Sequence, residues 1–351
     1  MGKTIVGVDI SAREIRAAEV DGALKARPSL VRYHTVPLPP GAVVRGEVVE
    51  AKTVASALKR LWSTGKFTTK DIVLGVGNSR VLARELSMPK MPLENIREAL
   101  PFHVQEMLPF PAKDALLDFY PISESNEGGG VVINGLLVAA LKSAVAANVS
   151  AATMAGLNTV NVDLSPFALV RVLQRGGARG GGTVAIIEVG ANTSTVVVSS
   201  NGVPQFVRII PNGGDDLTNA LATRLNMAPD LAERTKRATG LTTPPGGPGI
   251  VDPATVALEV TSTLVVNIRD TLHYYATSRP NDVISSIVLT GGGSSLRGFR
   301  EALSDYTRLS ATVGDPLASV ALGRTADKSI QAIGPEASLS VAIGLAVGNA
   351  A

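Results

Sequence analysis

The chain has 351 residues, 45% apolar and 18% charged, with 33 basic against 30 acidic side chains and a net charge of +3. Balanced charge without a block of Lys or Arg argues against a nucleic-acid footprint, and the absence of Cys excludes a thiol nucleophile, a thiolate metal site and any disulfide. The length suits two domains or several subdomains, and with aromatics at 4% the core must be built from Ala, Val, Leu and Ile.

Residues 4–22 read TIVGVDISAREIRAAEVDG: an apolar strand ending on Asp9, a turn of small residues, a second β-rich run and a polar turn closing on Gly22. The N-terminus enters this strand directly and does not read as a signal peptide. A short turn at 37–41 precedes a helix expected over 51–62, where Val54, Leu58 and Leu61 share a face, and a buried strand over 72–76. Residues 93–107 carry helical spacing at Ile96, Leu100 and Val104, with Pro101 set to kink or break the helix. The stretch SNEGGG at 125–130 reads as a loose loop before an apolar strand at 131–141, too short to span a membrane. A helix is expected over 164–173, and GGARGGG at 176–182 marks the junction of two halves.

After that junction the opening pattern returns. Residues 183–202 read TVAIIEVGANTSTVVVSSNG, with Glu188 where Asp9 stood. Helices are expected over 215–225 after Gly213 and Gly214, over 229–239 with Pro229 at its first position, and over 254–278, with a surface loop at 242–249. A strand at 283–290 runs into Gly291, Gly292 and Gly293, with Ser294 or Ser295 as cap of a helix over 296–309. A short apolar helix at 339–349 is expected in a core. The whole reads as α/β, with mixed sheets and helices on both faces.

Two hairpins, each with an acid and small residues at its bend, are suited to face each other across a cleft. Small residues let backbone N–H groups approach phosphates, and the carboxylates can hold a hydrated cation. The Gly-rich turn at 291–295 leaves bare backbone for a planar base and ribose. No G-x-x-x-x-G-K-S/T is present, which excludes a P-loop, and no G-x-G-x-x-G follows the first strand. His34, His103 and His273 show no metal-like spacing, and there is no G-x-S-x-G elbow.

The succession of strand, Asp and turn, then strand, acid and turn, then LTGGGSSLRGF at 289–299, resembles the actin-like ATPase superfamily. That resemblance implies a duplicated, ribonuclease H-like α/β fold with two halves around a nucleotide cleft, and ATP with Mg2+ as cofactors. It places Ser11, Ala12, Arg13 and Arg16 of the first turn, and Gly190, Ala191, Asn192 and Thr193 of the second, at the phosphates. Gly213 and Gly214 fall near the γ-phosphate. Gly291, Gly292, Gly293, Ser294 and Ser295, with Glu233 and Lys236, fall at adenosine. Asp9 and Glu188 would hold the metal through water and, with Asp163, form the catalytic set. Three departures stand out. Ser11 and Ala12 replace Gly-Ser, Arg16 replaces Lys as a fork rather than a point charge, and Glu188 is one methylene longer than the usual Asp. The expectation is therefore ATP binding with weak or no ATPase activity.

A narrower match lies at 86–120, LSMPKMPLENIREALPFHVQEMLPFPAKDALLDFY. This segment is similar to the signature of the PilM family, actin-like cytoplasmic proteins of type IV pilus assembly. The resemblance implies an inserted subdomain of the FtsA/PilM type at 83–155, a first half at 1–82 plus 156–175, and a second half at 183–351 with 215–284 as its smaller subdomain. It implies a partner, the N-terminal cytoplasmic peptide of PilN, with other inner-membrane pilus proteins and the pilus motor beyond it. It also implies a cytoplasmic place peripheral to the inner membrane; self-association stays open. Phe102, Phe110 and Tyr120 in this segment are expected to pack in a core. An FtsA-like division or filament protein, or a small-molecule kinase of the same superfamily, remains an alternative.

Overall fold

The computed structural model describes residues 4–127, 130–175, 182–244, 246, 252–333 and 336–348. The expected junction at 176–182 lies outside these residues except for Gly182, as does most of the loop at 242–249 beyond residue 244.

Two sheets repeat one plan. The first has six strands in the order Asn158–Leu164, Asp71–Val76, Ile5–Ile10, Glu14–Asp21, Ser29–Pro37 and Ala321–Leu322. The second has five, in the order Ala311–Val313, Ile284–Thr290, Thr183–Val189, Ser194–Ser200 and Val203–Ile210. In each, an antiparallel meander of three strands is extended by two parallel strands on the side of its first member. The first strands, Ile5–Ile10 and Thr183–Val189, are central and covered on both faces, which is why they read as continuous apolar runs rather than alternating ones.

Two helices, Ser165–Gln174 and Ser340–Gly348, share one core with both sheets, meeting Ile5 and Leu30 of the first and Ile186, Val197 and Val288 of the second. Close approach of backbones makes this layer possible. A Cβ on Gly7 would lie 2.1 Å from the Ala342 carbonyl oxygen, and one on Gly344 would lie 2.0 Å from that of Ala168. The chain's end therefore packs on the first sheet, and Ala321–Leu322 extends that sheet's edge, so the second half does not run as one block to 351 as expected. Helices Ala51–Gly65 and Lys142–Met154 cover the outer face of the first sheet; the expected insert thus gives up its last helix to the first half. Helix Pro253–Ser278, with Phe299 and Leu303, covers the outer face of the second. Helices Gly214–Arg224 and Pro229–Thr239 pack with it in a separate small core.

The insert is a three-stranded antiparallel sheet, Val81–Pro89, Gly130–Leu141 and Ala115–Glu127, covered by helix Leu93–His103. Pro101 sits in the last turn of that helix, which stops two residues later. Strand pairing runs to Glu127 opposite Gly130, so most of the loop expected at 125–130 belongs to a hairpin. Met88, Ile96, Leu100, Phe119 and Leu137 form its core. Phe102 is 84% exposed, against the packing role expected for it, whereas Tyr120 packs at a tilt against the ring of Phe167. The insert also touches the second half. Strand Val81–Pro89 rests on Val203–Ile210, and Arg279 donates to Glu85 at 3.1 Å and to Gln205 at 2.9 Å.

Candidate functional site

Asp9 and Glu188 lie at equivalent strand ends and line the same small pocket, about 70 Å³, with Ser11, Ala12, Gly190, Ala191, Asn192, Thr193, Gly291 and Gly292. The two hairpins predicted to face each other do so. Arg16 is the cross-strand neighbour of Asp9. Its guanidinium donates to Asp9 at 2.8 Å and to Glu14 at 3.0 and 2.7 Å, while Glu14 also accepts from Thr35 at 2.6 Å. Burial raises the pKa of Asp9, with Arg16 opposing that shift. Burial works against the charge of Arg16 too, yet Asp9 and Glu14 hold it well above the usual range. Glu188 has no such neighbour. Thr195 stands opposite it, and burial, reinforced by the charge of Asp9 and only partly opposed by Arg16, pushes its pKa up to about 7.

The pocket opens into a cleft of about 940 Å³ lined by Ser11, Arg13 and Arg16 from the first half and by Gly190, Gly213, Gly214, Glu233, Lys236, Gly292, Gly293 and Ser295 from the second. Its walls are set by backbone contacts. Gly214 N–H donates to the Gly190 carbonyl at 2.9 Å and Asp215 N–H to that of Ala191 at 2.8 Å, seating the Gly-Gly turn on the second hairpin. A Cβ on Gly213 would fall 2.5 Å from the Ala191 carbonyl oxygen. Gly291 has φ +81°, and a Cβ there would come within 2.6 Å of the Val189 carbonyl oxygen. A Cβ on Gly292, by contrast, meets nothing within 4 Å; this residue offers bare backbone to the cleft. Lys236 donates to Glu233 at 2.7 Å, to Thr218 at 3.0 Å and to the Gly214 carbonyl at 3.2 Å. Against the upward pull of burial, hydrogen bonds from Lys236, Thr218 and Arg237 bring Glu233 down to about 2. Glu233 and Lys236 thus form part of the cleft wall rather than a solvated helix face.

Two expected residues sit elsewhere. Asp163 lines neither pocket; its carboxylate is held by Arg171 and by the backbone N–H of Leu164 at 2.7 Å. Arg171 also donates to the Gly344 carbonyl at 3.2 Å, so Asp163 anchors the interlayer helices. Ser294 is buried, bonds to the Gly291 carbonyl at 2.7 Å and closes the turn without reaching the cleft. Residues Gly292–Ser295 form a short 3-10 turn, and the following helix, Phe299–Thr307, starts only after Gly298 at φ +82°, so neither serine caps it. Ser165, Gly46, Gly75, Gly77 and Ser338 line the small pocket, and small residues of such common types gave no prior signal. Asp215 lines the cleft as well, and its place directly after two glycines was the available clue.

The two carboxylates of the pocket, with backbone carbonyls and hydroxyls beside them, are oxygen donors of the kind a hydrated Mg2+ accepts, although Arg16 lines the same pocket and already pairs with Asp9. Among the described residues no three His, Cys, Asp or Glu side chains form a cluster that could hold a metal directly.

Duplicated sheets, interlayer helices and a shared cleft define an actin-like fold. The ethanolamine utilization protein EutJ from Carboxydothermus hydrogenoformans matches with a TM-score of 0.59, 14% identity and coverage of 99% of this chain and 90% of that one. MreB5 of Spiroplasma citri bound to ADP matches at 0.52, with 13% identity, 99% and 96%. Within that fold the chain belongs to the PilM family of type IV pilus assembly proteins, whose model matches residues 7–350. It matches the PilM-PilN type IV pilus biogenesis complex with a TM-score of 0.85, 28% identity and coverage of 98% of this chain and 97% of that one. The cell division protein FtsA of Bacillus subtilis (strain 168) is 21% identical over 227 residues, 58% of this chain. The chain spans only 51% of that relative's length. No helix among the described residues is long and apolar enough to cross a membrane.

Proposed function

We propose that the chain is an ATP-binding adaptor that docks the cytoplasmic tail of PilN and links it to the pilus machine. The convergence of two acid-bearing turns on one pocket, continuous with a cleft walled by Gly292, Glu233 and Lys236, carries this reading. Backbone at 11–13 and 190–193 holds phosphates, Gly292 and Ser295 lie against adenosine, and Glu233 with Lys236 takes the ribose. Asp9 and Glu188 would hold a hydrated Mg2+ through its waters, and the ion would supply positive charge for the phosphates. Glu188, whose burial and Asp9 neighbour outweigh the opposing charge of Arg16, is the residue that would gain most from that charge.

The output on this reading is a binding event. An extended peptide can add to a sheet edge or lay apolar side chains in a groove, and the likeness to a PilM-PilN complex supports PilN as the peptide's source; the dock on this reading is a groove beside the insert. The protein would then work in the cytoplasm, peripheral to the inner membrane through its partner, as two actin-like halves carrying an inserted subdomain. Nucleotide changes docking only if it binds the two forms unequally.

The adenosine assignment is tested with Gly292→Tyr. The new side chain has open space and leaves folding intact, but fills the cleft. ATP affinity measured by calorimetry is expected to fall by at least about tenfold, or 1.4 kcal/mol. Unchanged affinity would remove adenosine from this turn. The adaptor reading is tested by anisotropy with a labelled PilN N-terminal peptide, with and without Mg-ATP. Saturable binding supports it; turnover of a small sugar at ordinary enzyme rates would sink it in favour of a kinase, and no binding in either state would leave a kinase or a filament protein.

A further inference from the structure

The mouth of the cleft carries a contact that nucleotide binding does not require. Arg13, half exposed at the tip of the first turn, donates to Asp215 through Nε at 2.8 Å and through its terminal nitrogen at 2.5 Å. Asp215 belongs to the other half of the molecule, in the first turn of helix Gly214–Arg224. Its second oxygen accepts from Asn192 Nδ2 at 2.7 Å, and its N–H donates to the Ala191 carbonyl at 2.8 Å. One carboxylate therefore ties together the three turns expected at the phosphates.

We propose that Arg13 and Asp215 form a latch that holds the two halves together in the nucleotide-free protein, and that an incoming phosphate takes Arg13 from Asp215. The exchange rests on the nucleotide reading given above; the latch itself does not. A guanidinium presents the same two-pronged face to a carboxylate and to a phosphate, and both groups line the cleft. A phosphate there places a second anion beside Asp215, and only one of the two can hold the fork. Asp215 keeps Asn192 and the favourable end of its helix when Arg13 leaves. A half-exposed ion pair is weak enough to be exchanged rather than locked.

The absence of Cys makes the test clean. Lys59→Cys and Arg234→Cys place exposed spin labels on helices Ala51–Gly65 and Pro229–Thr239, one in each half. Inter-label distances without nucleotide and the Kd for Mg-ATP are measured in the labelled full chain, in its Asp215→Asn and Arg13→Gln variants, and in the double variant, with melting curves confirming the fold. Each single variant is expected to broaden the distance distribution equally, and the double variant no further. Asp215→Asn is expected to raise ATP affinity by about fivefold, a gain that shrinks in salt and vanishes in the Arg13→Gln background. Distributions as narrow as the parent's in both single variants overturn the latch. Weaker ATP binding in Asp215→Asn overturns the exchange and puts Asp215 on the cation. Broadening without ATP binding in any form, the parent included, upholds the latch and refutes the nucleotide reading.

Discussion

Aligned strand for strand, Asp9 and Glu188 occupy one position of a repeated hairpin, but Arg16 faces Asp9 while Thr195 faces Glu188. The same alignment sets Gly7 against Ile186, both fully in register with their neighbours. Duplication has kept the backbone plan and let the side chains diverge. The first hairpin neutralises its own acid and admits a helix against its glycine. The second keeps an acid without an internal counter-charge and fills its core with a branched side chain. A repeat of this kind teaches that equivalent residues share a place and not a task.

The harshest way to break the comparison is to copy one hairpin into the other. Gly7→Ile would drive a branched side chain into the Ala342 carbonyl, and loss of more than about 4 kcal/mol, or no folded protein, is expected in urea unfolding. Arg16→Gln comes next. It leaves Asp9 and Glu14 without their cation beside Glu188, for a cost of about 3 kcal/mol that grows as pH rises through the carboxylate range. Glu188→Gln should act in the opposite direction. The folded pKa of about 7 lies above the ordinary 4.5, so the native state binds more protons between those values and stability falls as pH rises through them. The amide removes that slope, and a gain of about 1–2 kcal/mol near pH 8, with none below the window, is expected from unfolding curves at both pH values. The smallest effect belongs to Asp9→Asn. It removes the charge that helps to raise Glu188, and carbon-detected NMR titration should find Glu188 shifted down from about 7 towards the ordinary carboxylate range.

Much of this pocket was legible because its signals are local. Asp9 and Glu188 end apolar runs in a repeated hairpin pattern, and Gly292 sits in a triple glycine, so the repeat and turn chemistry pointed to a shared cleft. The rest depended on contacts between distant parts of the chain. Nothing near Gly7 announces that Ala342 will press on it, so the packing of the last helix on the first sheet has no local signal. Asp163 entered only through the family resemblance, and Arg171 on the next helix holds its carboxylate. Phe102 read as core by residue type, although it lies beside Pro101 on the open side of its helix.

The position of Arg279 has a mechanical consequence. The insert is fixed to the first half by its two peptide connections and rests on the second half through Arg279, Glu85 and the strand beneath them. Three bodies joined at three seats form a triangle, and a triangle cannot change one angle alone. A hinge movement between the halves would have to be taken up as sliding at the Arg279 seat.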